Sequence, residues 1–162
     1  MSMGQDIAIT WDVLRSRGDW SVAGGDLATG NALLSAVMVS LLTDRVAPAT
    51  PTPADQAAGL GTPAAGTQDR RGWWGDAYAG VPIGSRLWQL KRAIKSNRRA
   101  VPQEAEDMCR EALQWLLDDG IAASVTPTAT WAGPTTLRIA VQIVKPDGAT
   151  ETASIDWAWE GL

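Results

Sequence analysis

TLRIAVQIVKPDGATETASIDWAW, residues 136–159, spells two β-strands and the turn between them. Leu137, Ile139, Val141 and Ile143 alternate with Arg138, Ala140 and Gln142. A period of two places the apolar set on one face of a sheet. Pro146-Asp147-Gly148 then supplies a fixed φ, a side chain that bonds its own backbone and a residue free to take positive φ, which together make a strong turn. Beyond it Ala153, Ile155, Trp157 and Trp159 alternate with Thr152, Ser154 and Asp156. Upstream, Val125, Ala129 and Trp131 alternate with Ser124, Thr126, Thr128 and Thr130, and Ala132-Gly133-Pro134 turns the chain into residue 136. Pro127 interrupts this first run. It has no N–H for a ladder, so its strand is expected at an edge or a bulge. The pattern predicts a three-stranded antiparallel meander with one apolar face. Three strands alone bury too little, so elements earlier in the chain must cover that face.

Those elements are visible. Thr29 or Asn31 caps a helix running to about Leu42, with Leu33, Leu34, Val37, Met38, Leu41 and Leu42 on a broad apolar surface and only Ser35 and Ser40 polar within it. Gly84-Ser85 leads into a second helix, Arg86 to about Asn97, marked by Leu87, Leu90 and Ile94. Pro102 opens a third, which keeps Ala105, Cys109, Ala112, Leu113 and Leu116 on one face and stops at Gly120. At the N-terminus Asp6–Trp11 alternates as a short strand, and Arg17-Gly18-Asp19 is read as its turn towards a second strand, Trp20–Ala23. Residues 46–67 carry Pro48, Pro51, Pro53 and Pro63 among Ala, Gly and Thr and keep no periodicity, so a flexible loop is expected there. The fold class is α+β: about three helices packed on a C-terminal three-stranded antiparallel meander, with a short N-terminal β-hairpin. A chain of 162 residues with 45 % hydrophobic residues makes one domain, 1–162.

Composition narrows function. The net charge of -4 gives no basic footprint for nucleic acid. Six basic residues between Arg86 and Arg99 face six acidic ones between Glu104 and Asp119, which reads as two solvated helix faces that attract each other. There is no histidine, so the commonest general base and metal ligand is missing. Ser35, Ser40 and Ser85 therefore have no imidazole to activate them. The carboxylates nearest aromatic or helical features are Asp76, Glu111, Asp118 and Asp119. Asp118 and Asp119 are adjacent on a helix and do not converge on one bond, as a glycosidase pair must. No Asp-rich metal loop and no phosphate-loop pattern occur. The single Cys109 sits at helical spacing among apolar residues and reads as a buried thiol. No apolar run is long enough to span a bilayer, and MSMGQDIAITWD has no basic or apolar stretch of a signal peptide. Production and assembly in the cytoplasm, with no catalytic residue, metal or cofactor, are expected. Nine Trp, one Tyr and no Phe suit either a core that also serves interfaces or sugar stacking.

Four segments in order carry a resemblance: Leu34-Ser35-Ala36-Val37 with Ser40-Leu41-Leu42-Thr43-Asp44-Arg45; Arg71-Gly72-Trp73-Trp74-Gly75-Asp76; Gly84-Ser85-Arg86-Leu87-Trp88; and Glu111-Ala112-Leu113-Gln114-Trp115-Leu116. Their order and spacing resemble the Mu-like branch of phage baseplate wedge proteins, related to the sheath-initiator proteins of contractile tails. The likeness runs from Asp6 to about Trp159. It implies a small α+β domain in a sixfold baseplate around the tail tube, in contact with other wedge proteins and the tail sheath, within the virion tail. The Glu-Pro-Arg motif of the T-even branch is replaced here by Asp118-Asp119-Gly120-Ile121, so contacts of that motif do not transfer. Some relatives bear a lysozyme label, which this sequence does not support with an acid pair.

The candidate sites are accordingly surfaces for partners. Trp73 and Trp74 are neighbours in a turn and cannot easily share one core; Asp76, Arg86 and Trp88 lie close by in sequence, with Arg86 expected to hold the tryptophan turn through its carbonyls or Asp76. The last strand supplies Ser154, Ile155, Asp156, Trp157 and Trp159. It has no proline to block pairing and is the better acceptor of a foreign strand, unless Asp6–Trp11 covers it. A tail-associated peptidoglycan hydrolase and a tryptophan-based carbohydrate-binding module are the competing functions.

Overall fold

The structure, a computed structural model, describes residues 5–12, 17–53, 56, 70–78, 80–90 and 99–158. Six short strands open the chain: β1 (Gln5–Ile7), β2 (Ile9–Asp12), β3 (Arg17–Trp20), β4 (Val22–Ala23), β5 (Asp26–Leu27) and β6 (Thr29–Asn31). Helix α1 (Ala32–Leu42) and helix α2 (Val101–Asp118) follow, and β7 (Ser124–Trp131), β8 (Thr136–Val144) and β9 (Thr150–Ala158) close it. The C-terminal sheet has the expected order β7-β8-β9, antiparallel throughout.

Leu137, Ile139, Val141, Ile143 and Ile155 are all buried on one face of this sheet. Each contributes about 1.5–3 kcal/mol by leaving water. Helix α2 lies along β7, and α1 lies beside α2 and reaches β9. The buried face of α2 is Val101, Ala105, Met108, Cys109, Ala112, Leu113 and Leu116, which adds Val101 and Met108 to the expected stripe. Asn31 is the N-cap of α1; its side-chain oxygen accepts from the Leu33 and Leu34 N–H groups. The two serines of α1 are explained by their bonds. Ser35 Oγ donates to the Ile7 carbonyl, while Ser40 Oγ donates to the Ala36 carbonyl and accepts from the Trp115 indole.

Three expectations change. The N-terminal region is not one hairpin but three two-stranded ribbons, β1-β6, β2-β3 and β4-β5. They meet where Ala8 N–H donates to the Ala28 carbonyl and Ala28 N–H to the Ser21 carbonyl. Arg17-Gly18-Asp19 lies within β3 rather than in a turn. A Cβ on Gly18 would fall 2.6 Å from Leu42 Cδ1, so this glycine serves the close approach of α1 to the ribbon. Lastly, two α-helices are present among the described residues where about three were expected. Of the Arg86–Asn97 segment, Leu87–Gln89 forms a 3-10 turn, and residues 91–98 lie outside the described part. Most of the loop expected at 46–67 also lies outside it. At its described feet Ala47 N–H donates to the Arg70 carbonyl and Arg70 Nε to the Ala47 carbonyl.

Candidate functional site

The Gly84-Ser85 pair plugs the C-terminus of α1. The last carbonyls of a helix have no partner within it. Ser85 Oγ donates to the Leu41 carbonyl at 2.5 Å, and Ser85 N–H to the Thr43 carbonyl at 2.9 Å. The Arg45 N–H returns a bond to the Ser85 carbonyl. Gly84 has φ +102, and a Cβ there would lie 2.4 Å from the Thr43 oxygen. Only glycine fits, because both the backbone angle and the space exclude a side chain.

From this junction an ionic bracket reaches α2. Arg86 Nε donates to Glu111 at 2.8 Å, Arg45 Nε lies 3.4 Å from the other Glu111 oxygen, and Arg45 Nη1 donates to the Pro82 carbonyl. Trp88 donates its indole N–H to the Arg45 carbonyl, and Arg71 stands 4.6 Å over the Trp88 ring while pairing with Asp44. Arg86 thus binds α2 through Glu111. Asp76 accepts instead from the Ile83 and Trp73 N–H groups, which folds residues 73–83 onto themselves. Both tryptophans of this turn reach the surface, their rings tilted at 5.2 Å centroid distance. Trp74 is 78 % exposed and Tyr78 89 %, so the turn presents aromatic surface outward.

The second candidate surface is the edge of the sheet. Ala123 N–H donates to the Val144 carbonyl and Thr128 Oγ1 to the Ala140 carbonyl, so even-numbered residues of β8 turn their backbone groups towards β7. Successive residues alternate sides. In β9 the even-numbered residues therefore direct their N–H and C=O groups away from β8, and in β7 the odd-numbered ones do so. The two edges are unequal. On β7, Pro127 offers no N–H and the Ala129 N–H is taken by Glu106 of α2 at 3.0 Å. On β9, the Asp156 carbonyl accepts the Trp11 indole N–H at 2.6 Å. Thr152 and Ser154 have no backbone partner on that side among the described residues. Among the described residues no N-terminal strand pairs with β9; side chains reach it instead, Trp11 packing on Trp157 at 5.5 Å and Asn31 donating to the Glu151 carboxylate.

Of the residues on β9, Ser154 is exposed and Ile155 is buried in the core. Asp156 forms a two-bond pair with Arg138 on the open face, at 2.7 and 2.6 Å, and the bond from Arg138 holds its carboxyl below the usual carboxylate range. Trp159 lies outside the described residues. The side chain of Ile155 is in the core and its backbone groups face β8, so any partner on this edge would meet its even-numbered neighbours instead. The sequence reading missed Trp11, Arg45, Tyr78 and Val81. The first two act over 145 and 66 residues of separation, as the Trp11–Asp156 bond and the Arg45–Glu111 pair show, and no local pattern reveals such contacts.

Three of the four carboxylates weighed for catalysis are engaged structurally. Asp76 binds two N–H groups, Glu111 two guanidinium groups and Asp118 the Gln114 amide. Cys109 is buried, and burial pushes its thiol up to about 12. Among the described residues no cluster of three or more His, Cys, Asp or Glu side chains stands ready for a metal, and no helix is long and apolar enough to cross a membrane.

Residues 33–150 match the family described as phage protein GP46. This span holds both helices, the Gly84-Ser85 plug and β7-β8. Over 160 residues the chain is 34 % identical to baseplate protein gp46 of Escherichia phage Mu, covering 97 % of this chain and 99 % of that protein. It is 33 % identical over 156 residues to the Mu-like prophage FluMu protein gp46 of Haemophilus influenzae, covering 95 % and 97 %. The chain belongs to the Mu-like phage baseplate family, phage protein GP46.

Proposed function

We propose that the chain is a structural component of a contractile-tail baseplate that links wedge proteins to the tail sheath, and that a partner strand adds to β9. The observation that carries this reading is the contrast between the two sheet edges. One is closed by Pro127, Glu106 and the packed helix, whereas the other leaves the Thr152 and Ser154 backbone groups unmatched among the described residues. Exposed edges are usually blunted by charge, bulges or shortness. This one is nine residues long, and its Asp156 charge is already neutralised by Arg138. Strand addition would give it a partner through main-chain bonds. The full-length likeness to a protein named for the Mu baseplate supports placing the chain in the virion tail, with other wedge proteins and sheath as neighbours and a sixfold arrangement in the particle. The role requires no catalysis: the chain acts through protein–protein contacts, not as a hydrolase.

Co-expression with the neighbouring tail proteins tests the reading. Ser154→Pro removes an N–H that points away from β8, so no ladder bond of the folded domain is lost. The variant is expected to fold and to stop co-purifying with its partner. A folded variant that co-purifies normally would defeat the proposal.

A further inference from the structure

A groove of about 1130 Å³ runs between α1, the 81–84 segment, the N-terminal ribbons and α2. It exceeds the roughly 300–1,000 Å³ of small-molecule sites. Ile9, Ala36, Val39, Val81, Ile83 and Trp115 line it. Helix α1 has no polar face, ALLSAVMVSLL, and its Val39 is 44 % exposed on the groove wall. Val81 opposite is 67 % exposed. A helix apolar all round belongs between covering elements.

The polar atoms in the groove are already committed. Ser35, Ser40 and the Trp115 indole bond to one another or to backbone carbonyls, and no buried side-chain N or O lacks a partner among the described residues. The groove therefore has little to offer a sugar or a nucleotide and selects by apolar area. Its α1 and α2 walls have closed backbone ladders, so an occupant lying along them must satisfy its own backbone, as a helix does.

Charge sets the second requirement. Both cations along the groove are matched: Arg45 by Glu111, and Arg110 by Glu106 and Asp107. Asp118 and Asp119 at its end have no ion pair among the described residues; Asp118 accepts only from Gln114. They stand at the C-terminus of α2, where the helix dipole is negative, and no basic residue sits in the last turn. The rim thus carries two anions with no ion pair among the described residues.

We propose that this groove receives an amphipathic helix of a neighbouring baseplate protein, its apolar face on Val39 and Trp115 and a lysine or arginine against Asp118 and Asp119. The identity of the neighbour rests on the baseplate reading above; the groove chemistry does not. The test uses the whole chain and two labelled 18-residue amphipathic peptides, one of Leu and Lys and one of Leu and Glu, followed by fluorescence anisotropy. The lysine peptide is expected to bind and the glutamate peptide not to. Asp118→Asn with Asp119→Asn should weaken binding by roughly threefold to tenfold at low salt, an effect erased at about 1 M salt. Val39→Arg, or Val81→Arg should the first variant unfold, should abolish binding. Equal binding of the two peptides, or binding unchanged in both arginine variants, overturns the inference. So does a wild-type dimer that Val39→Arg converts to monomer, since a second copy would then be the occupant. Failure of the peptide test with tail-protein co-purification intact removes the groove helix alone. Success of the peptide test without co-purification removes the baseplate reading and leaves the groove chemistry standing.

Discussion

Replacing Gly84 with alanine should destabilise the domain far more than the same change at Gly120. Both glycines have positive φ, +102 at Gly84 and +67 at Gly120. That alone costs a substituted residue about 1–2 kcal/mol. At Gly120 nothing lies within 4 Å of an added Cβ. At Gly84 the Cβ would meet Thr43 O at 2.4 Å, Thr43 C at 2.9 Å and Arg45 N at 3.0 Å. All three are backbone atoms and cannot swing aside. The segment must retreat from the end of α1, which loosens three bonds: Ser85 Oγ to Leu41, Ser85 N–H to Thr43 and Arg45 N–H to Ser85. At about 1 kcal/mol each, these bring the loss to roughly 4–5 kcal/mol for Gly84→Ala, against about 1–2 kcal/mol for Gly120→Ala. For a chain of this size that is a fall in Tm of about 8–20 °C against about 2–8 °C. Urea unfolding followed by tryptophan fluorescence gives both values. If the two variants agree within about 0.5 kcal/mol, the trans plug on α1 is not the reason for glycine in the Gly-Ser-Arg-Leu-Trp segment.

Three further outcomes follow from single residues. The Asp156 carboxyl is held down by Arg138, so its stabilising contribution is present above the unfolded carboxylate range and is lost as pH falls through the folded value. Arg138→Gln should flatten the acid limb of the stability–pH curve, and an unchanged limb would count against that pair. Cys109, with its thiol near 12 and buried, should resist a thiol reagent at pH 8 in the native protein and react fully in urea; rapid labelling of the native chain would contradict its burial. Glu111→Gln should lower stability by about 1 kcal/mol, a modest loss because the carboxylate is 37 % exposed. Wild type and variant alike should leave no clearing on a cell-wall zymogram, and clearing lost in the folded variant would favour a hydrolase.

Strands and helices with long, clean periods were legible in the sequence. β7, β8, β9 and the face of α2 follow from alternation and helical spacing, because eight or more residues repeat one signal. The cap of α1 was legible as Thr29 or Asn31 because capping chemistry is local, and Asn31 is the one that accepts from the Leu33 N–H. The N-terminal ribbons were not, since strands of two to four residues hold too little alternation, and β1 closes on β6 across the other four. Gly18 shows why: glycine marks turns and close approaches alike, and only the position of Leu42 distinguishes them. The site divided in the same way. Pro127 announced a guarded strand from its missing N–H, whereas the Glu106 cap on Ala129 depends on how α2 lies along β7. Arg86 was expected to hold the tryptophan turn through its carbonyls or Asp76; Asp76 is bound by backbone N–H groups of its own turn, and Arg86 pairs with Glu111, 25 residues away, which no local pattern reveals.

The most direct test of strand addition is amide hydrogen exchange at Thr152 and Ser154, measured in the isolated chain and in the complex with its co-expressed tail partners. In the isolated chain both N–H groups point away from β8 without a backbone partner among the described residues and should exchange fast. In the complex both should become strongly protected, while Val125 on the guarded β7 edge changes little. Exchange at Thr152 and Ser154 that stays fast in a stoichiometric complex would contradict the account.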